Sequence, residues 1–298
     1  HHVGIAPADP QKALAHRLRQ AATELADDPD SEHAPRTRMQ KEADLFVSWL
    51  TNATGTESDI HAEVAVVQSY ADLNAPYDSK YHFVRVRYDG SGGDFGGFRR
   101  GRRGGGTWSH DYPRAERNFL QILKETTLLE TQWQGSNVLT FDDPDLLKYP
   151  IAYIVEVGYW NPSDDEAKAL GEYLLKGGFL IVDDTRGERG FEFQNFASHM
   201  ERALPGLSIV ALDHDHDIFD SFFRVDPLAV IPMYGPRDVQ YYAIFEDNDP
   251  EKQMLAVFNF NNDIAEYWEY SDQGYTSIEL TNEAFKLGVN YIVYAHTH

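Results

Sequence analysis

Two nearly continuous apolar runs of strand length, IAYIVEVGY (151–159) and GFLIVDD (178–184), bracket the stretch SDDEAKALGEYLLKGG (163–178). The middle segment opens on a Ser cap and closes on glycine, so it reads as a helix between two strands. A strand, a helix and a strand at these lengths imply parallel neighbours joined by a right-handed crossover. Runs apolar on both faces also need helices on both sides of the sheet.

The same alternation extends in both directions. YHFVRVRYD (81–89) alternates as a strand does, and DYPRAERNFLQILKETT (111–127) reads as a helix entered at Pro113, with Ala115, Phe119 and Ile122 on one face. FEFQNFASHMERALPG (191–206) is a further helix, and VQYYAIFED (239–247) and QMLAVFNFNND (253–263) are further strands. TNEAFKLGVNYIVYAHTH (281–298) closes the chain as a helix, although Val289, Tyr291 and Val293 also fit alternation. The expected fold class is α/β: a mostly parallel sheet covered by helices on both faces, over residues 79–298.

Residues 1–78 read as a helical N-terminal extension. Asp9-Pro10 is a helix-start signal, and Leu14, Leu18, Ala21 and Leu25 repeat at helical spacing over about residues 10–26. After the polar linker DDPDSEHAP, Ala43, Phe46 and Leu50 mark a second helix and Ile60, Val64 and Val67 a third. Three apolar stripes need covering, by the main domain or by a neighbouring subunit.

In an open parallel sheet, ligands bind beyond the carboxyl ends of the strands. Three segments meet that condition: the loop after YHFVRVRYD, the turn VGYWNPSD and the stretch DDTRGERG. The first is YDGSGGDFGGFRRGRRGGG (88–106), and with Arg85 and Arg87 just upstream, six of the chain's 26 Lys and Arg residues fall from Arg85 to Arg103. Asp89, Arg99, Arg100, Arg102 and Arg103 are its candidate ligand-binding residues, since guanidinium groups grip phosphate, sulfate or carboxylate with paired donors. The alternative is a surface flap. The loop has no Gly-Lys-Ser/Thr ending and does not open directly into a helix, so no nucleotide cofactor is expected. A net charge of −22 repels phosphate at long range and argues against nucleic acid and anionic membranes as partners.

Asp183 and Asp184 end a buried strand, where ionised carboxylates are costly without a partner. They are candidate ligand-binding residues, or else a helix cap or ion-pair partners of Arg186 or Arg189. In DHDHD (213–217), His214 and His216 point to one side if the chain is extended and can share a metal ion with a third ligand from Asp184 or His110. A solvated acidic loop has the same composition. His1 is a further metal candidate through its amino group and ring if it is a mature terminus. A divalent cation is therefore a candidate cofactor, with zinc, copper and calcium undistinguished. Asn52-Ala-Thr54 matches a glycosylation acceptor. The chain has no cysteine, which excludes thiol nucleophiles and thiolate metal sites, and no Ser-His-acid order is recognisable.

FVRVRYDGSGGDF, the helix DYPRAERNFLQILKETT, DEAKALGEYLLKGGFLIVDD, HDIFDSFF from His216 and FKLGVNYIVYAHT together resemble a bacterial family known as domain of unknown function 4159, over about Tyr81 to His298. The resemblance implies a three-layer, flavodoxin-like fold like that of class I glutamine amidotransferases, with a C-terminal elaboration, and supplies no reaction. Without cysteine, glutamine hydrolysis is not inherited, and the arginine run from Arg99 to Arg103 looks like an insertion in the family loop.

Two functions are compatible with these features. One is an exported, periplasmic or extracellular, non-catalytic binding or self-assembling protein, a homo-oligomer whose basic loop meets acidic surface or an anionic small molecule or glycan. The other is a metal-dependent hydrolase of a carbohydrate or other small anionic substrate. Neither requires membrane insertion, since no apolar stretch reaches about 20 residues.

Overall fold

β3 (Ile151–Val155) and β4 (Phe179–Thr185) are buried along their whole length and pair in parallel from Ile151 opposite Phe179 to Val155 opposite Asp183. Around them the computed structural model, which describes residues 74–88, 107–186, 190–232 and 238–298, builds a seven-stranded sheet. β1 (Val84–Val86) and β2 (Asn137–Leu139) lie beyond β3, and β7 (Met254–Phe260), β6 (Gln240–Phe245) and β5 (Val210–Ala211) lie beyond β4, in the order β2-β1-β3-β4-β7-β6-β5. The first five strands in that order are mutually parallel. β6 runs antiparallel to β7 and β5 antiparallel to β6, so the elaboration extends one edge of a flavodoxin-like core.

Alternate residues of the strands feed two separate cores. Phe83, Tyr153, Phe179, Ile181 and Val257 pack with α1 (Arg114–Thr126), α4 (Ile264–Glu269) and α5 (Ile278–Thr297). Val84, Ile154, Leu180, Val182 and Phe258 pack with α2 (Asp164–Leu175) and α3 (Phe191–Ala203) on the other face. This is the three-layer α/β arrangement expected from the alternating pattern. Ser163 and Glu166 form a reciprocal capping box at the start of α2. The C-terminal segment is helical, because Val289, Asn290, Tyr291 and Ile292 are all buried and a one-faced strand would expose every second residue. No described helix is long and apolar enough to cross a membrane.

Of the expected N-terminal extension, residues 1–73, including His1 and Asn52, lie outside the described residues. Its last part, 74–78, is not helical. Asn74 instead lends its side-chain amide to the edge of β2, donating to Val138 O at 2.9 Å and accepting from Val138 N at 2.8 Å. Asn137 does the same in return with Ala75. These pairings occupy the backbone groups of an edge strand that would otherwise invite another chain.

Arg85, counted by sequence within the basic cluster, is fully buried in β1. Its Nε donates to Glu116 Oε1 of α1 at 2.6 Å, its Nη2 contacts the same oxygen, and its guanidinium stacks 4.8 Å from the centre of the Tyr153 ring. It therefore serves the core and not a ligand. Glu116→Gln leaves that cation buried without its counter-charge, and a loss of about 3–5 kcal/mol is expected in urea denaturation. The joint exchange Arg85→Met with Glu116→Leu should recover most of it. A single-variant loss under about 1 kcal/mol would show that water reaches the pair.

Candidate functional site

β1, β3, β4 and β7 all end at one rim, and the residues that follow them converge there. The chain leaves β1 at Tyr88 and is described again from Thr107, where a short 3-10 turn, Thr107–Ser109, leads to His110 and Asp111 ahead of α1. Tyr88 Oη ties both ends of this segment to the rim. It lies 3.1 Å from Thr107 Oγ1 and donates to the carbonyls of Val155 at 2.8 Å and Glu156 at 2.9 Å. Asp89, Arg99, Arg100, Arg102 and Arg103 lie between these anchors, outside the described residues.

The adjacent Asp183 and Asp184 have different roles. Asp183 is saturated: Tyr153 Oη donates to Oδ2 at 2.6 Å, Asn259 Nδ2 to Oδ1 at 2.9 Å, and the backbone amides of Ile264 and Ala265 to Oδ2 at 3.0 and 3.1 Å. It is a structural anchor and not a ligand group. At Asp184 the backbone turns left-handed, with φ of 48°, and the pairing of β4 with β7 slips between Val182 and Thr185. Such an irregularity re-aims a side chain at the end of a strand. Asp184 Oδ2 consequently lies 2.8 Å from His110 Nδ1, while its Oδ1 makes no hydrogen bond and lies 3.6 Å from Arg186 Nε.

Three further carboxyls surround this pair. Asp111 Oδ2 is 3.4 Å and Glu156 Oε1 4.0 Å from His110 Nδ1. Asp263, which follows β7, uses Oδ1 to cap Glu266 N at 3.0 Å and leaves the buried Oδ2 without a partner. One ligand-type atom from each of His110, Asp184 and Asp263 falls within 4.8 Å of the others. Asp111, Asp184 and Asp263 are buried, whereas the side chains of His110 and Glu156 are 12% and 19% exposed and form the mouth of the site.

The crowding of like charges is visible in the protonation of these groups. Burial, reinforced by the charges of Asp184, Asp111 and Asp183, raises the Asp263 carboxyl well above its ordinary range. Burial likewise raises Asp111, against the pull of His110. Glu156 is pushed up to about 7 by burial and by Asp184, and Glu192 to about 7 mainly by burial. For His110, burial works downward, but the hydrogen bond to Asp184 and the charges of Asp111, Asp184 and Glu156 outweigh it and raise the pKa to about 9.

Of the sequence candidates, then, His110 and Asp184 meet. His214 and His216 do not join them. Residues 213–216 form a turn closed by His216 N donating to Asp213 O at 3.1 Å, so the extended geometry that would align the two rings is not present. His216 Nδ1 accepts from Ile218 N, and its ring lies beside Phe245 and Tyr294, the latter next to Phe179. That is the amino end of β4, opposite the rim. His214 is exposed beside Asp215, Asp220, Arg224 and Glu283. Asp111, Glu156 and Asp263 escape sequence reasoning. Their signal is the carboxyl-end rule applied to every strand, with Glu156 the single charge in IAYIVEVGY.

A pH dependence follows from these shifts. The folded chain keeps the protons of Glu156 and Glu192 up to about pH 7, whereas the unfolded chain loses them near 4.5. Folding thus binds protons in that window, and stability falls as pH rises through it. His110 contributes stability that is complete below 6.5 and is lost as pH rises through about 9. Chelator-treated protein should therefore become less stable from pH 4.5 to 9 in denaturant titrations, and Glu156→Gln should flatten the acidic half of that decline. A stability that rises from pH 4.5 to 7 would contradict the site as described.

No curated protein is significantly similar to the chain. The family model for DUF4159, described as a domain of unknown function, matches residues 82–296, from just before β1 to the last turn of α5. That match spans the sheet, the described helices that pack on it and all five residues of the rim site, and on that extent the chain belongs to the DUF4159 family.

Proposed function

We propose that the protein is a hydrolase of a carbohydrate or other small anionic substrate, with its catalytic centre at the carboxyl rim. The observation that carries this reading is Glu156. It follows β3 directly, with φ of 49°, in a turn that fixes a non-glycine residue in the left-handed region. That conformation costs about 1–3 kcal/mol and persists only where surrounding contacts over-determine it. Here they do: Tyr88 holds the carbonyls of Val155 and Glu156, and Asn195 Nδ2 donates to those of Val157 and Trp160, both at 2.7 Å. A sharp strand-to-helix turn of this kind projects its side chain at the top of a parallel sheet.

Within this reading Glu156 receives a proton from the attacking water. His110, whose Nδ1 is held by Asp184, presents its other nitrogen to the leaving group or to the developing negative charge. Arg186 lies at the same rim and offers a counter-charge to an anionic substrate. Tyr159 in the elbow turn and Phe191 at the start of α3 carry exposed aromatic rings suited to the apolar face of a sugar. Self-assembly, the other expectation from sequence, does not account for buried, strained and mutually repelling groups gathered at one rim, because an interface draws on exposed surface.

Chromogenic glycosides, esters and phosphate esters form the test panel, with wild type and Glu156→Gln compared. Wild type should turn over at least one class, and the variant should lose at least about 100-fold in kcat. It should also unfold no more easily than wild type, since it removes a buried charge. Turnover of none of the classes, or equal turnover by both proteins, overturns the reading.

A further inference from the structure

We propose that His110, Asp184 and Asp263 form a binding site for one first-row divalent cation of the zinc or manganese(II) type. The site deepens the hydrolase reading by naming its cofactor, but the binding itself stands on geometry alone. Three lines of observation converge on it.

First, the three side chains reach the same point from three separate segments: the turn before α1, the end of β4 and the residue before α4. Their ligand-type atoms lie within 4.8 Å of one another, and a cation held by both His110 Nδ1 and Asp184 Oδ2 would replace the proton of the 2.8 Å hydrogen bond between them. Two ligands at right angles, each about 2.1 Å from a common ion, stand about 3 Å apart.

Second, each aspartate has a buried oxygen that accepts no hydrogen bond, although Asp184 Oδ1 lies 3.6 Å from Arg186 Nε. Asp263 Oδ2 and Asp184 Oδ1 are buried without a hydrogen-bond partner, while the other oxygen of each is engaged, by Glu266 N and by His110. A buried carboxylate oxygen ordinarily finds a donor, and one that does not calls for an ion or water. Both residues are at least nine-tenths buried, so solvent does not substitute.

Third, the donor set selects the ion. One imidazole and two carboxylates suit borderline first-row metals. Calcium takes six to eight oxygens, more than this site provides. The chain has no thiolate to compete for zinc elsewhere. Three protein ligands leave coordination positions open toward the exposed edge formed by His110 and Glu156, which is the arrangement of a catalytic ion and not of a closed structural one. A cation so placed would polarise an oxygen of the substrate.

The experiment uses full-length protein that has never met an immobilised-metal column, stripped with chelator and titrated calorimetrically with Zn²⁺, Mn²⁺ and Ca²⁺. One equivalent of Zn²⁺ or Mn²⁺ should bind, with Ca²⁺ at least tenfold weaker. Asp184→Asn and Asp263→Asn should each weaken binding at least tenfold, while the joint His214→Ala/His216→Ala variant should bind as wild type does. Asparagine retains the cap on Glu266 N, so Asp263→Asn is expected to fold. Should either aspartate variant fail to fold, electron paramagnetic resonance of Mn²⁺ on the His214→Ala/His216→Ala protein decides, since nitrogen coupling from one imidazole is expected there. No binding at 1 mM metal, binding unaffected by the aspartate variants, or no nitrogen coupling overturns the proposal. Metal binding of the expected pattern without hydrolysis of any panel substrate would uphold the cation site and remove the hydrolase reading alone.

Discussion

The carboxylate of Asp183 ties the rim together. It is fully buried at the end of β4 and gathers donors from β3 through Tyr153, from β7 through Asn259, and from the first amides of α4 through Ile264 and Ala265. Asn259 is itself oriented by Tyr291 of α5, whose hydroxyl donates to Oδ1 at 2.6 Å and so turns the amide nitrogen toward Asp183. Burial raises the pKa of this carboxyl, and the bonds from Tyr153 and Asn259 oppose that rise. One side chain thus fixes the spacing of three strands and docks a six-residue helix that would not persist alone. The position of Asp263, one residue before α4, is a consequence of that docking.

With the first aspartate committed to structure, the second is released for another task. An extended strand would send Asp183 and Asp184 to opposite faces. The left-handed backbone at Asp184 instead turns it toward the segment that returns from β1. Asp111 and Glu156 adopt the same region, with φ of 63° and 49°. Aspartate tolerates this conformation better than most residues, and glutamate has no such allowance. Three strained residues at the ends of three different segments, all aimed at one histidine, are more than the packing of the sheet requires. Such strain costs stability and is characteristic of sites selected for what they do.

The layered fold was legible because it depends on periodicity. IAYIV and FLIVDD must be buried on both faces, and the capped helix between them leaves one chain path. β2 was not legible, because NVL is three residues long and its edge is completed by the side chain of Asn74, which no local pattern reveals. The site was half legible. The carboxyl-end rule led to the stretch that holds Asp184, and His110 entered as a third ligand for His214 and His216, but those two stood out only because their spacing suits an extended chain, and a turn at Asp213 removes that premise. Asp263 and Glu156 were hidden for opposite reasons, the first among the polar residues after a strand and the second inside an apolar run. Arg85 illustrates a similar limit, since charge in a sequence does not distinguish a ligand-binding cation from one spent on a buried glutamate.

The electrostatics of the rim constrain the order in which it can fill. Asp111, Glu156, Asp184 and Asp263 face His110 and Arg186, on a chain whose net charge is −22. An anionic substrate approaching that surface is repelled until positive charge accumulates there. A dication at the proposed three-residue site would supply it at short range, where the low surrounding dielectric makes it most effective. A cation and an anionic substrate bound there as proposed would be thermodynamically coupled, each strengthening the binding of the other by the same factor.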